Sequence, residues 1–233
     1  MKKSAAFLAA ALVTGCALTS PFTGVNYGKA NAADGFDMNI TVDLKGERKE
    51  ISPLIYGVNQ YTTNLKDVKA TAVRQGGNRM SAYNWETNAS NAGSDWKHSS
   101  DTNLSESTSP ADCVQKLSAE AAKYGVGYKF TTLQLAGYVS ADKDGTVTEE
   151  EKAPSKRWNE VKFTKGAPFA DEPDLTDGVV YMDEYVNYII KKLGDSQSPT
   201  GMQGYSLDNE PVLWDNTHSR MHPEPVSIEE MRS

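Results

Sequence analysis

The sequence predicts an α/β fold built around a parallel sheet. Short apolar runs alternate with two amphipathic helical patterns, which is the rhythm of strand, helix and strand in parallel α/β proteins. Polar side chains follow the apolar runs, as they do where the strands of a (β/α)8 barrel end. The 233 residues are fewer than the roughly 250 of a complete barrel of this kind.

The strands are predicted from short apolar and β-branched runs. Residues 36–44 alternate apolar and polar side chains, as a half-buried strand does. Four further runs end in polar residues and cover residues 55–60, 71–74, 128–135 and 205–207. Segments 84–109 and 137–176 show neither a helical nor a strand period, so we interpret both as long loops.

Two helices are predicted from apolar faces and end signals. The first has Ser109 as its N-cap with Pro110 in its first turn, and Gly125 ends it. The second has Asp177 as its N-cap and ends at Gly194. The buried face of the second helix is predicted to comprise Met182, Tyr185, Val186, Ile189, Ile190 and Leu193.

The N-terminus predicts export. Residues 1–32 are typical of a signal peptide, with Lys2 and Lys3 before an apolar run and an Ala-x-Ala cleavage site at 30–32. We therefore expect a secreted, extracellular protein. A lipobox-like Val-Thr-Gly-Cys sequence at 13–16 leaves one alternative, in which an acylated Cys16 anchors the protein to a membrane at the cell surface.

Charge and cysteine content exclude several functions. The formal net charge is −7, and cleavage after residue 32 would also remove Lys2, Lys3 and Lys29. An acidic surface disfavours nucleic acid, whose phosphates attract clustered Lys and Arg. Cys113 would be the only cysteine left after cleavage, which excludes an intramolecular disulfide and a cysteine zinc site.

The stretch from 204 to 214 carries the strongest chemical signal. Asp208, Asn209 and Glu210 follow a short strand, and Pro211 stops its continuation. An acid beside an amide suits glycoside cleavage, because the acid protonates the leaving oxygen and the amide binds a sugar hydroxyl. A solvated turn explains the same three residues, since Asp, Asn and Pro are common in turns. Asp208 should point away from Asn209, and we interpret it as structural.

Longer motifs favour the first interpretation. They lie at residues 51–59, 74–79, 83–96, 206–211 and 217–223, with Trp214 between the last two. In this order they resemble glycoside hydrolase family 44, and the likeness runs from about residue 36 to the C-terminus.

The resemblance implies a secreted endo-β-1,4-glucanase of the cellulase and xyloglucanase type that acts with retention on β-glucan polysaccharide such as cellulose or xyloglucan. Residues 51–233 would form the N-terminal half of a catalytic (β/α)8 TIM barrel, about its first four β/α units, and residues 33–50 a strand of a β-sandwich. Glu210 would be the general acid/base. The nucleophile, a second glutamate, would lie beyond Ser233, so we expect this truncated chain to be inactive alone.

Several further side chains are candidates for binding substrate. Asn209 would contact the 2-hydroxyl of a sugar, although it could instead hold the turn. Indole rings stack on sugar faces, but a buried Trp is the commoner fate of any single one. Arg79 and Glu86 could also form an internal ion pair. The remaining candidates are Asn78, Trp85, Glu86, Trp96 and Trp214.

Two patterns resemble metal sites, but we expect no metal and no cofactor. Residues 140–151 match an EF-hand loop at positions 3, 5, 6 and 12, whereas Ser140 replaces the first carboxylate and no helix precedes it. A tight Asp-Gly turn explains the segment more simply, and calcium remains the alternative. His218 and His222 have the spacing of a zinc pair, but no third ligand is evident.

Two other functions stay open at this point. Another barrel glycosidase, such as a xylanase or mannanase, would carry the same acid at a strand tip. A non-catalytic glucan-binding protein would use the tryptophan loops without cleaving the polymer.

Overall fold

The computed structural model describes residues 26–31, 37–59 and 65–232. The chain divides into two compact units, Met1–Ile51 and Ser52–Ser233. In the first unit, β1 (Asn26–Asn31) pairs antiparallel with β2 (Asp37–Val42). The strand predicted over 36–44 is confirmed, but Ile40 and Val42 are exposed rather than half-buried. The rest of the predicted signal peptide, including Cys16, lies outside the described residues.

The second unit contains thirteen further helices and strands among its described residues, together with short 3₁₀ turns. In chain order they are β3 (Gly57–Asn59), α1 (Leu65–Val68), β4 (Ala72–Gln75), β5 (Ser99–Ser100), α2 (Asp112–Lys123), β6 (Tyr128–Leu133), β7 (Tyr138–Ser140), β8 (Gly145–Thr146), β9 (Trp158–Lys162), β10 (Val179–Tyr181) and α3 (Met182–Leu193), followed by β11 (Gly204–Leu207) and α4 (Trp214–Thr217).

A four-stranded parallel sheet organises this unit. β3, β4, β6 and β11 lie side by side in chain order, as the sequence predicts. The register places Arg74 beside Phe130 and Phe130 beside Gly204. Because all four strands run the same way, the residues that follow β4 and β11 meet at one edge.

The two faces of the sheet have different neighbours. Val73 packs with Leu117 and Ala121 of α2, and the Thr131 hydroxyl lies 3.4 Å from the Tyr185 hydroxyl of α3. Side chains alternate along a strand, so Arg74 and its neighbour Phe130 lie on the opposite face. We call this the inner face.

Helix α2 has the predicted buried face but a different start. Val114, Leu117 and Ala121 are fully buried. The predicted N-cap Ser109 is wrong, because Ala111 takes a left-handed conformation with φ of 52° and the helix begins at Asp112. Gly125 follows the helix end with φ of 69°, which suits glycine.

The start of helix α3 is also corrected. The Asp177 carboxylate accepts a hydrogen bond from the Val179 amide at 2.9 Å, so it forms a turn before β10 instead of capping a helix. The helix begins directly after that strand, at Met182. Ile190 is exposed, whereas Tyr188, absent from the predicted stripe, is buried.

The segment interpreted as the second long loop contains a sheet of its own. β9 pairs antiparallel with β7 and parallel with β10. β5 and β8 form a separate two-stranded pair that ties the first long loop to the second. None of the helices in the described ranges has the length and apolar character needed to cross a bilayer.

Candidate active site

The tip of β11 is a tight turn built from three polar residues. Asp208 and Glu210 both have positive φ, at 54° and 48°, with Asn209 between them. The Asn209 carbonyl accepts a hydrogen bond from the Trp214 indole nitrogen at 3.1 Å. The chain therefore reverses direction sharply after the strand and presents the exposed Glu210 side chain at the sheet edge.

Asp208 holds this turn to the neighbouring strand end. Its carboxylate accepts hydrogen bonds from the amides of Leu135, Ala136 and Asn209 at 2.6, 3.3 and 2.7 Å. Burial raises the pKa of Asp208 above its usual value, although these donors act in the opposite direction. The geometry agrees with the structural role expected for Asp208.

Asn209 connects Glu210 to a residue that sequence reasoning did not select. The Asn209 Nδ2 donates to Oε2 of Glu210 at 2.9 Å, and the Asn209 Oδ1 accepts from Nη2 of Arg74 at 2.8 Å. Arg74 lies near the end of β4 and begins the 74–79 motif, and those were its signals in the sequence.

Two of the three candidate tryptophans are buried, which corrects their assignment as sugar-binding residues. Trp85 is 0% exposed and stacks on Tyr185 with ring centroids 5.5 Å apart. Trp214 is 1% exposed. A sugar cannot reach either indole face in this structure. Trp96 is 61% exposed, on a turn that packs against α4.

Glu86 is also too buried to contact a polymer, and this corrects its assignment as a substrate-binding residue. Its side chain is almost fully enclosed, at 2% exposure. Burial, followed by the negative charges of Asp177 and Glu184, raises the pKa of Glu86 to about 8. The predicted alternative of an ion pair with Arg79 is wrong, because Arg79 pairs with Asp101 at 2.7 Å.

Asn78 holds loops together at this edge. The side-chain Nδ2 of Asn78 donates to the Ala92 carbonyl at 2.8 Å. The backbone carbonyl of Asn78 accepts from Nε2 of His218 at 2.9 Å. The Asn78 amide nitrogen thus already has a protein partner, which does not favour its predicted role in substrate binding. His218 is buried, and burial lowers its pKa to about 4.

In the two patterns that resembled metal sites, the side chains bond to other groups of this chain. Arg157 donates to the Asp142 carboxylate and to the carbonyls of Gly145 and Thr146, all within the EF-hand-like segment. His218 bonds to a backbone carbonyl, whereas Nε2 of His222 lies 2.7 Å from Glu230. Over the part of the chain that the structure describes, no three His, Cys, Asp or Glu side chains are grouped to hold a metal ion.

Comparison with known proteins decides the family. The sequence profile of glycoside hydrolase family 44 matches residues 89–233, which is more than half of the chain and includes the β11 tip. The chain belongs to glycoside hydrolase family 44. The resemblance inferred from the motifs is thereby confirmed.

Proteins similar to this chain include named enzymes and solved structures. The chain is 50% identical over 202 residues to a β-mannanase/endoglucanase A of Caldicellulosiruptor saccharolyticus, covering 83% of this chain and 15% of that protein. It matches the structure of the endoglucanase Cel44A from Clostridium thermocellum with 53% identity and a TM-score of 0.74, over 79% of this chain and 37% of that one.

A third similar protein, of family 44, was solved with a polysaccharide. A Paenibacillus polymyxa xyloglucanase, whose structure includes xyloglucan, matches with 48% identity and a TM-score of 0.74, over 78% of this chain and 37% of that one. The chain therefore spans little more than a third of the length of these solved relatives.

Proposed function

We propose that the protein is an endo-β-1,4-glucanase that hydrolyses soluble β-glucans such as xyloglucan, with Glu210 as general acid/base. The position of Glu210 carries this proposal. It is an exposed carboxylic acid at the end of a parallel strand, bonded to the amide of Asn209, within the segment that matches family 44. The names of the endoglucanase and xyloglucanase relatives support the substrate class.

Glu210 would protonate the oxygen that leaves with the departing sugar and then deprotonate the attacking water. One hydrogen of the Asn209 Nδ2 bonds Glu210, and the other would be donated to the 2-hydroxyl of the sugar at the cleavage point. Retention of configuration requires a second carboxylate about 5 Å from the first. The family resemblance assigns that nucleophile to a later strand.

We further propose that β3, β4, β6 and β11 are the first four strands of a (β/α)8 barrel. Their unbroken chain order and parallel pairing support this, because a doubly wound sheet would reverse its strand order. Residues 33–50, which contain β2, would belong to a β-sandwich, whereas β1 lies within the predicted signal peptide and would be lost on cleavage after residue 32. The division of the chain after Ile51 agrees with a domain boundary at about residue 50.

We also propose that the protein is exported and that segment 140–151 binds no calcium. The n-region lysines and Ala-x-Ala site support export, and N-terminal sequencing of the mature protein separates cleavage at 32 from processing at Cys16.

The contacts of Arg157 support the proposal that segment 140–151 binds no calcium, because its guanidinium already bonds oxygens that calcium would need.

Glu210→Gln in the full-length gene product tests the catalytic proposal. We expect the rate of reducing-sugar release from xyloglucan and carboxymethyl cellulose to fall by about 10²-fold or more, because general acid catalysis contributes that much. Xylan and mannan complete the substrate panel. Normal activity of the variant on glucan would refute the role of Glu210, and glucan binding without cleavage by the native protein would favour a binding protein.

A further inference from the structure

A chain of two hydrogen bonds links β4 to the tip of β11. Arg74 lies on the inner face of β4, with β6 between it and β11. Neighbouring strands are about 4.8 Å apart, so a contact from β4 to the β11 side must span roughly twice that distance. Arg74 does so, and its Nη2 donates to Oδ1 of Asn209 at 2.8 Å. The Asn209 Nδ2 then donates to Oε2 of Glu210 at 2.9 Å.

The chemistry of the two end groups fixes the orientation of the amide between them. A guanidinium has only donors, so the atom of Asn209 that faces Arg74 must be the carbonyl oxygen. The amino group must then face Glu210, where an oxygen accepts its hydrogen. With Arg74 absent, the Asn209 amide could rotate by 180° and turn its oxygen toward the Glu210 carboxyl.

The amide also distinguishes the two oxygens of the Glu210 carboxyl. Oε2 accepts a hydrogen from Asn209 and is therefore the less suitable site for the acidic proton. The proton that an acid catalyst must donate is thus directed to Oε1. A rotated amide would compete for that same proton as an acceptor.

Gly76 provides the space in which the Arg74 side chain lies. A Cβ atom at residue 76 would overlap with Nε and Cζ of Arg74. Gly76 does not have a positive φ, so its backbone would accept alanine without strain. Replacement of Gly76 should therefore displace the guanidinium while the fold is retained.

We propose that Arg74 is a positioning residue for the glycosidase reaction: through the Asn209 amide it holds Glu210 with its proton on Oε1, directed at the leaving oxygen. This inference rests on the proposed role of Glu210 as general acid. Arg74 itself need not touch the substrate. In the described residues its only side-chain hydrogen bond is the one to Asn209.

Leaving-group dependence separates positioning of the acid from a general structural role. Cleavage of a β-glucan oligosaccharide needs a proton on the departing sugar, whereas 2,4-dinitrophenol leaves as an anion without help. A misplaced acid should therefore reduce kcat/KM for the oligosaccharide much more than for 2,4-dinitrophenyl β-cellobioside. A general disturbance of the site would reduce both values alike.

The experiment uses Arg74→Met, Arg74→Lys and Gly76→Ala in the full-length gene product, with Lys191→Met as a control that removes a charge from α3. We expect Arg74→Met to lower kcat/KM about 100-fold for the oligosaccharide and less than about 5-fold for the aryl glycoside. Arg74→Lys should recover part of the loss, and Gly76→Ala should show a smaller version of the same split. Lys191→Met should match the native protein.

Equal losses on both substrates, or no loss with Arg74→Met, would overturn the inference. If Arg74→Met fails to fold by circular dichroism, Gly76→Ala decides, because it keeps the arginine and alters only its position. Glu210→Gln, measured in parallel, should show the same split. If Glu210→Gln loses more activity on the oligosaccharide than on the aryl glycoside, and the Arg74 and Gly76 variants show no such difference, only the positioning role fails. If Glu210→Gln retains full activity on the oligosaccharide, the proposed function itself fails.

Discussion

Arg157 donates hydrogen bonds to both carboxylate oxygens of Asp142, from Nε at 2.6 Å and from Nη2 at 3.0 Å. The same guanidinium bonds to Glu151 at 3.2 Å. Because the arginine side chain is mostly buried, at 8% exposure, its charge organises a segment that would otherwise place two carboxylates close together. The segment is thus folded around the guanidinium group of Arg157.

We expect Arg157→Met to lower the free energy of unfolding by about 3 kcal/mol, because removal of one member of a buried charge cluster leaves the other charges uncompensated. Urea unfolding measures this loss. Asp144→Asn is the matched control. Asp144 occupies a ligand position in the EF-hand pattern but has no side-chain bond to Arg157. A calcium-dependent loss of stability in Asp144→Asn would contradict the proposal that this segment binds no calcium.

Glu86 should make the native state less stable as the pH rises. Its folded pKa of about 8 lies above the value near 4.3 of an exposed glutamate, so the folded state holds a proton that the unfolded state has released. Stability is therefore lost from about pH 4.5 to pH 8, by up to roughly 1.4 kcal/mol per pH unit.

Glu86→Gln removes this titration. We expect the variant to match the native protein near pH 4.5 and to exceed it in unfolding free energy by a few kcal/mol at pH 8, in urea titrations at several pH values. The control is Glu106→Gln, which changes an exposed glutamate in the same way. A gap that stayed constant for Glu86→Gln would mean that the carboxyl is ionised throughout the range.

His218 should have the opposite dependence. Burial lowers its folded pKa to about 4, below the value near 6.5 of a free histidine. The unfolded state therefore binds a proton first, and stability falls as the pH decreases from about 6.5 to 4. His218→Gln keeps a donor for the Asn78 carbonyl and removes the titration.

Between pH 6.5 and 4 the free energy of unfolding of the native protein should fall as His218 takes up a proton in the unfolded state. We expect this fall to be smaller in His218→Gln, by up to about 3 kcal/mol. Thermal unfolding over this range measures the effect, and His222→Gln serves as the control. An unchanged acid limb in His218→Gln would show that other groups dominate acid unfolding.

The sequence predicted the sheet and the turn at 208–210 because their signals are local. Apolar runs that end in polar residues gave β3, β4, β6 and β11, and Pro211 marked the end of the last one. The prediction of Asp177 as a helix N-cap was wrong because an Asp before an apolar run can cap a helix but can also start a turn. Here Val179 and Val180, both β-branched, form a strand before the helix begins.

Contacts between distant parts of the chain were beyond sequence reasoning. Arg74 and Asn209 are 135 positions apart, and no local pattern indicates that they bond. Trp85 and Trp96 both follow the same predicted strand. The Trp85 ring, however, packs against Tyr185 and Tyr188, which belong to a helix about a hundred residues further along the sequence. Burial of one ring and exposure of the other depend on that tertiary packing.

This difference between Trp85 and Trp96 gives a paired prediction. Trp96→Ala should leave the unfolding midpoint unchanged, because its ring is 61% exposed. If the ring binds sugar, KM for xyloglucan should rise about 3- to 10-fold in the full-length gene product, which corresponds to an aromatic contact of about 0.5 to 1.5 kcal/mol. Trp85→Ala should instead cost about 3 to 5 kcal/mol of stability, since it leaves a large cavity in the core. An unchanged KM with Trp96→Ala would remove this residue from the substrate site, and a stable Trp85→Ala with a raised KM would return Trp85 to it.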